Sequence, residues 1–231
     1  MRKAVSLLSL VFTTIVLSIA ALIASLFDEK GDTVRRIARF WAAMHLKVCG
    51  ITVSVTGTDH ISKPPYIFMV NHQSALDIYA LLCALPISSK WIAKRQLFSI
   101  PFFGWAMKRA GYISIDRENP REALKAINDA ARKIKEGTNI LIFPEGTRSK
   151  DGVLLPFKKG AFSLVVRAGV PVLPVGIKGT SALQPKGSFI PGKKGVIYVS
   201  IGEPIPVKED SASEKAKIMD QVKASIERLI K

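Results

Sequence analysis

The sequence predicts an α/β fold: a mostly parallel or mixed sheet of about seven strands, flanked by helices and preceded by an N-terminal pair of membrane-associating helices. Three observations carry this expectation. Short β-rich runs alternate with longer helical ones beyond Gly50, several of those runs are apolar without interruption, and the chain opens on a long uncharged segment.

That opening segment, Ala4 to Phe27, holds 24 residues and no charge. As a helix it would be roughly 36 Å long, enough to cross a hydrocarbon core of about 30 Å. Arg2 and Lys3 precede it and favour a cytoplasmic N-terminus. A cleaved signal peptide has the same basic start and apolar run, and spanning the bilayer and lying within one leaflet both fit. The next stretch, "TVRRIARFWAAMHLKVCG", repeats Val34, Ile37, Trp41, Met44 and Val48 at steps of three and four, with Arg35, Arg36, Arg39 and Lys47 supplying charge. It reads as a basic amphipathic helix at a membrane surface, or as an ordinary helix packing its apolar face on the core.

The strand candidates are Ile51–Thr56, Tyr66–Val70, Lys90–Ala93, Tyr112–Ile115, Asn139–Phe143, Val172–Ile177 and Val196–Ile201. Between and after them, helices are expected over Ala75–Leu85, Gln96–Arg109, Pro120–Glu136, Lys158–Arg167 and Ala212–Leu229. Asn119 is placed to cap the third of these with Pro120 at its first position, and "SASE", Ser211 to Glu214, is a capping box for the last.

With 34 Lys and Arg against 18 Asp and Glu, the net charge of +16 favours anionic partners. A mean hydropathy of +0.23 and the apolar first segment point to lipid headgroups and not to nucleic acid. Cys49 and Cys83 lie in apolar surroundings without metal-ligand spacing and are expected as free thiols.

Two polar knots interrupt the apolar pattern. In "YIFMVNHQSALDIYALL" a strand-like run stops at Asn71-His72, and Asp77 follows five residues after the histidine. "SALD" is itself a capping box, with Ser74 as cap and Asp77 at the third helical position. Along one regular helix, five residues would leave the two side chains about 140° apart. They meet only if His72 precedes the helix and Asp77 sits in its first turn, where the carboxylate would orient the imidazole as a base. No G-x-S-x-G elbow supplies a nucleophile, so the substrate is expected to bring its own hydroxyl. The second knot, "NILIFPEGTRSKDG", ends a buried strand in a turn displaying Glu145, Thr147, Arg148 and Ser149, and "YISIDREN" exposes Asp116 and Arg117 after another. Strand ends carrying such groups are expected to face one crevice. "GSFIPGKK", Gly187 to Lys194, nearly spells a phosphate-binding P-loop but precedes a strand, and reads as a basic loop.

Taken in order, these stretches resemble the glycerolipid acyltransferase family, and within it the 1-acylglycerol-3-phosphate acyltransferases. "NHQSALD" is similar to the His-x4-Asp block, "GYISIDR" to the second, "FPEGTRS" to the third and "VPVLPVGI" to the fourth, with "AKRQLFSIPFFGWAMK" between the first two. The resemblance runs from about Ile51 to Ile205.

It implies that His72 is the general base and Asp77 its partner; that Lys94 and Arg148 hold the acceptor phosphate, helped by Arg117; and that Glu145, Gly146 and Thr147 shape the acceptor pocket. Arg95, next to Lys94, is the alternative ligand at that place. It further implies acyl transfer from acyl-CoA or acyl carrier protein to the 2-hydroxyl of lysophosphatidic acid, with no metal or other cofactor, at the cytoplasmic side of the inner membrane. Residues 1–50 would be the membrane-associating helices and 51–231 the catalytic domain. Transfer to glycerol 3-phosphate or another lysolipid is the alternative chemistry; a basic peripheral membrane-binding protein is the alternative without catalysis.

Overall fold

Strands that are apolar on both sides need cover on both sides, and this requirement organises the molecule. The computed structural model describes residues 2–28, 31–116 and 118–231, with side chains from Leu7 onward. Its strands are β1 (Ile51–Thr56), β2 (Ile67–Val70), β3 (Lys90–Lys94), β4 (Ile113–Ile115), β5 (Ile140–Ile142), β6 (Val172–Lys178) and β7 (Gly195–Ile201). They form one sheet in the order β1-β7-β6-β2-β5-β3-β4. Every neighbouring pair is parallel except β6 and β7. The mixed sheet of seven strands expected from the alternation is therefore present.

The helices are α1 (Arg2–Ala24), α2 (Asp32–Cys49), α3 (Leu76–Ala84), α4 (Phe103–Arg109), α5 (Pro120–Lys135), α6 (Lys159–Ala168), α7 (Thr180–Leu183) and α8 (Ala212–Leu229). Along β2 the side chains alternate between two cores. Tyr66, Phe68 and Val70 join Leu46 of α2 and Leu76, Ala80 and Leu81 of α3. Ile67 and Met69 join Ile134 of α5, Phe162 and Val165 of α6, and Ile218 and Val222 of α8. Each such side chain taken fully out of water contributes about 1.5–3 kcal/mol. The central strands consequently read as unbroken apolar runs.

Local signals act as expected at two helix starts. The Asn119 side chain accepts from the N–H groups of Arg121 and Glu122, with Pro120 next to it. Ser211 accepts from the N–H of Glu214, although Glu214 itself turns to the N–H of Lys208. The single helix expected over Gln96–Arg109 is instead two pieces, a 3-10 turn at Arg95–Ser99 and α4. Pro101 explains the break: it offers no N–H and pushes Ile100 into extended backbone, and Phe102 then takes a φ of 60°.

The amphipathic stretch turns out to be a packed helix. Val34, Ala42, His45 and Leu46 of α2 are buried, and Trp41 lies 4.8 Å from the Tyr79 ring of α3. The polar groups of this region serve α1: the Trp41 indole N–H donates to Thr14 Oγ1 at 3.1 Å, and Thr13 Oγ1 lies 3.0 Å from His45 Nε2. One side of α1 is thus tied to α2, while Leu8 and Phe12 on another are about 70% exposed (70% and 68%). Among the described residues, α1 is the one helix long and apolar enough to cross a membrane.

The parallel run β6, β2, β5, β3, β4 sends five C-terminal ends to one edge of the sheet. That edge carries both polar knots.

Candidate active site

β2 ends at Val70, and the next residue closes the strand with its side chain. Asn71, 1% exposed, donates from Nδ2 to the Ile177 carbonyl at 2.9 Å and accepts the Ile177 N–H on Oδ1 at 2.7 Å. A side-chain amide thereby imitates one more backbone pair between β2 and β6. The main chain is released to turn toward α3.

His72 follows, ahead of α3, as the spacing required. Its Nδ1 stands 2.7 Å from Asp77 Oδ2, and Asp77 is fully buried. The same oxygen accepts the N–H groups of Gln73 at 2.7 Å and Ser74 at 2.9 Å. A carboxylate oxygen that collects backbone donors is an acceptor, so Nδ1 carries the proton in this pair and Nε2 keeps its lone pair. The Asp77–Ser74 contact is the carboxylate half of the expected capping box. The serine half is altered: Ser74 Oγ accepts from Leu76 and donates to the Gln184 carbonyl at 2.7 Å. Asp77 thus both anchors the start of the helix and orients the imidazole.

Three further contacts fix His72. Its ring stacks on Phe143 at 4.0 Å, its N–H donates to Glu145 Oε1 at 2.6 Å, and its carbonyl accepts the Ser149 N–H at 2.8 Å. Gln73 adds a bond from Nε2 to the Gly152 carbonyl at 2.9 Å. The His72 side chain still keeps 17% of its surface open.

Glu145 is 1% exposed, and its second oxygen accepts the Leu155 N–H at 2.8 Å. Burial raises its pKa to about 7, while the two backbone N–H donors pull the other way and nearby Asp77 adds to the rise. A side chain so enclosed, with both oxygens on backbone donors, is a strut between two loops. Gly146 follows at φ 74°, a left-handed turn position that a Cβ would strain. Thr147 is exposed and Arg148 half-buried. Lys186 joins them, donating from Nζ to Thr147 Oγ1 at 3.1 Å and to the Arg148 carbonyl at 2.7 Å.

Two strands along, Lys94 ends β3, exposed and without a side-chain partner among the described residues. Arg95 instead pairs with Asp116 at 3.0 Å, whereas Lys94 has no ion-pair partner among the described residues. Arg117 lies outside the described residues. Beside α3 sits an apolar cavity of about 290 Å³, lined by Ala75, Trp41, Ile78, Tyr79, Leu82 and Trp91 among others.

At the start of α3 the N–H groups of Gln73 and Ser74 are held by Asp77, and that of Leu76 by Ser74 Oγ, so these three are not free to meet an oxyanion. The roles of Asn71, Gln73 and Lys186 were not anticipated. Asn71 had a legible signal, a polar residue closing a wholly apolar strand; Lys186 had none, being 114 positions from His72 (186 − 72).

The chain as a whole is similar to known proteins. The sequence model of the Acyltransferase family matches residues 52–178. The chain is 40% identical over 171 residues to the chloroplastic 1-acyl-sn-glycerol-3-phosphate acyltransferase BAT2 of Brassica napus, covering 73% of this chain and 49% of that one. It is 38% identical over 192 residues to the 1-acyl-sn-glycerol-3-phosphate acyltransferase of Saccharomyces cerevisiae, covering 79% and 62%. The chain spans about half the length of the chloroplastic relatives it matches. Its fold superposes on the crystal structure of the 1-acyl-sn-glycerophosphate acyltransferase PlsC from Thermotoga maritima with a TM-score of 0.79, at 30% identity and over 99% of this chain and 98% of that one. The matched segment contains His72, Asp77 and the strand ends around them, and on that footing the chain belongs to the Acyltransferase family.

Proposed function

We propose that this protein transfers an acyl group from an acyl thioester to the 2-hydroxyl of a 1-acylglycerol 3-phosphate, forming phosphatidic acid. The observation that carries the reading is the His72–Asp77 pair, held at the edge of the sheet with Nε2 making no hydrogen bond to the described residues. The names of the relatives support the choice of substrate.

The substrate hydroxyl attacks the thioester carbonyl carbon while His72 Nε2 takes its proton. The resulting imidazolium is balanced by the Asp77 carboxylate on the far side of the ring. When the tetrahedral intermediate collapses, the C–S bond breaks and the imidazolium returns the proton to the departing thiolate sulfur. A positioned base of this kind typically contributes about 10²–10⁴-fold. Lys94 and Arg148 hold the acceptor phosphate, and Arg117 assists. Gly146 and Thr147 shape the turn beneath it. Glu145, enclosed as it is, acts by holding His72 and not by touching the acceptor. The apolar cavity beside α3 receives an acyl chain.

Residues 1–50 form the membrane-associating unit and 51–231 the catalytic domain. Because α1 is bonded side-on to α2, its exposed apolar face fits contact with one leaflet better than a traverse away from the domain. Arg2 and Lys3, and a soluble donor of either coenzyme A or carrier-protein type, favour the cytoplasmic face of the inner membrane.

The test is acylation of lysophosphatidic acid by purified protein with labelled acyl-CoA, beside His72→Ala and Arg148→Ala. Turnover is expected to vanish in the first and to need much more acceptor in the second. Full turnover by His72→Ala removes the proposed base.

A further inference from the structure

The basic loop between α7 and β7 lies against the site, although its sequence reads only as a basic loop. Gln184, 3% exposed, is its pivot: its carbonyl accepts from Ser74 Oγ at 2.7 Å and its Nε2 donates to the Ser188 carbonyl at 2.8 Å. The Ser188 N–H returns to the Pro185 carbonyl and the Gly192 N–H to the Leu183 carbonyl, closing the loop on itself. Thr180 Oγ1, at the start of α7, reaches Gln73 Oε1 at 3.4 Å. The segment is therefore bolted to the residues that orient His72, and Lys186 is carried on that frame.

Among the described residues Lys186 meets uncharged acceptors alone, the hydroxyl of Thr147 and the carbonyl of Arg148. None of the ion pairs among the described residues includes it. An ammonium group has three N–H donors, so one donor and the whole positive charge remain available. A phosphate monoester carries roughly −1.5 to −2 charges at neutral pH. Arg148 and Lys94 come from the ends of β5 and β3, and Lys186 approaches from the β6–β7 side. We propose that Lys186 is a third cation for the acceptor phosphate, binding it directly while fixing the turn that presents Arg148. This rests on the acceptor being a phosphomonoester, as set out under Proposed function.

The experiment measures KM for lysophosphatidic acid and for acyl-CoA separately, in wild type, Lys186→Ala and Lys186→Arg. The expected result for Lys186→Ala is a rise of roughly ten- to hundredfold in acceptor KM, the usual worth of one charge-assisted hydrogen bond, with kcat and donor KM little changed. Lys186→Arg restores most of the acceptor affinity. An unchanged acceptor KM overturns the proposal. So does a rise in donor KM instead, which would place the charge on coenzyme A, and so does a joint fall in kcat with loss of thermal stability, which would make Lys186 a structural tether only. Wild-type protein that acylates no lysophosphatidic acid sinks the substrate reading and this inference with it, before any variant is made; wild-type turnover with an indifferent Lys186→Ala removes Lys186 alone.

Discussion

Replacing Glu145 by glutamine should change stability in opposite directions at low and high pH. The wild-type carboxylate accepts two backbone N–H groups, from His72 and Leu155. Glutamine has one oxygen, so one of those buried N–H groups loses its acceptor, at a cost of about 1–3 kcal/mol. Against this, burial lifts the Glu145 pKa from 4.5 to about 7. Below pH 4.5 the carboxyl is protonated folded and unfolded, and the shift has no effect. Between pH 4.5 and 7 the unfolded chain ionises while the folded one keeps its proton, so wild-type stability falls as pH rises, by about 3 kcal/mol in all. Glutamine escapes that loss. At pH 5 Glu145→Gln should be the less stable protein; at pH 8 it should equal or exceed wild type. The stability difference should move by about 3 kcal/mol between the two, read by denaturant unfolding. At the same time, slackening the His72 backbone should lower kcat by up to about 10²-fold with little change in acceptor KM. A stability difference independent of pH would refute the buried, proton-holding carboxyl. A raised acceptor KM with kcat intact would refute the strut and place Glu145 on the substrate.

Further outcomes follow from neighbouring contacts. In Asp77→Asn the amide oxygen can still collect the N–H groups of Gln73, Ser74 and the His72 ring, so the fold and tautomer should persist while the balancing charge is lost; kcat should drop on the order of 10²–10⁴ with an unchanged circular dichroism spectrum. Asn71→Ala leaves both backbone groups of buried Ile177 unpaired and should cost about 2–4 kcal/mol by urea unfolding. Lys94→Ala should raise acceptor KM, whereas Arg95→Ala, which breaks only a half-exposed ion pair with Asp116, should shift it by less than about threefold.

The sheet was legible because its strands are buried on both faces: an unbroken run such as "YIFMV" has no other comfortable place in an α/β domain. The His72–Asp77 contact was legible because a strand and a capping signal fix both ends of a five-residue gap. What sequence could not supply was competition for the same atoms. Local pattern makes Ser74 a helix cap, yet its hydroxyl donates to the Gln184 carbonyl, 110 positions away. Glu145 looks like a displayed turn residue until two backbone donors from different loops enclose it. The helix over Gln96–Arg109 follows apolar periodicity, but one proline outweighs it. Lys186 and Gln184 depend on where a distant loop lands, and no local signal encodes that.

The carboxylate oxygen that steadies the imidazole is also the one that starts the neighbouring helix. Architecture and reaction therefore converge on a single atom, and they cannot drift apart independently. A descendant of this chain released from its chemistry would be free to discard the histidine at once, yet would be obliged to retain the aspartate for as long as it kept its shape.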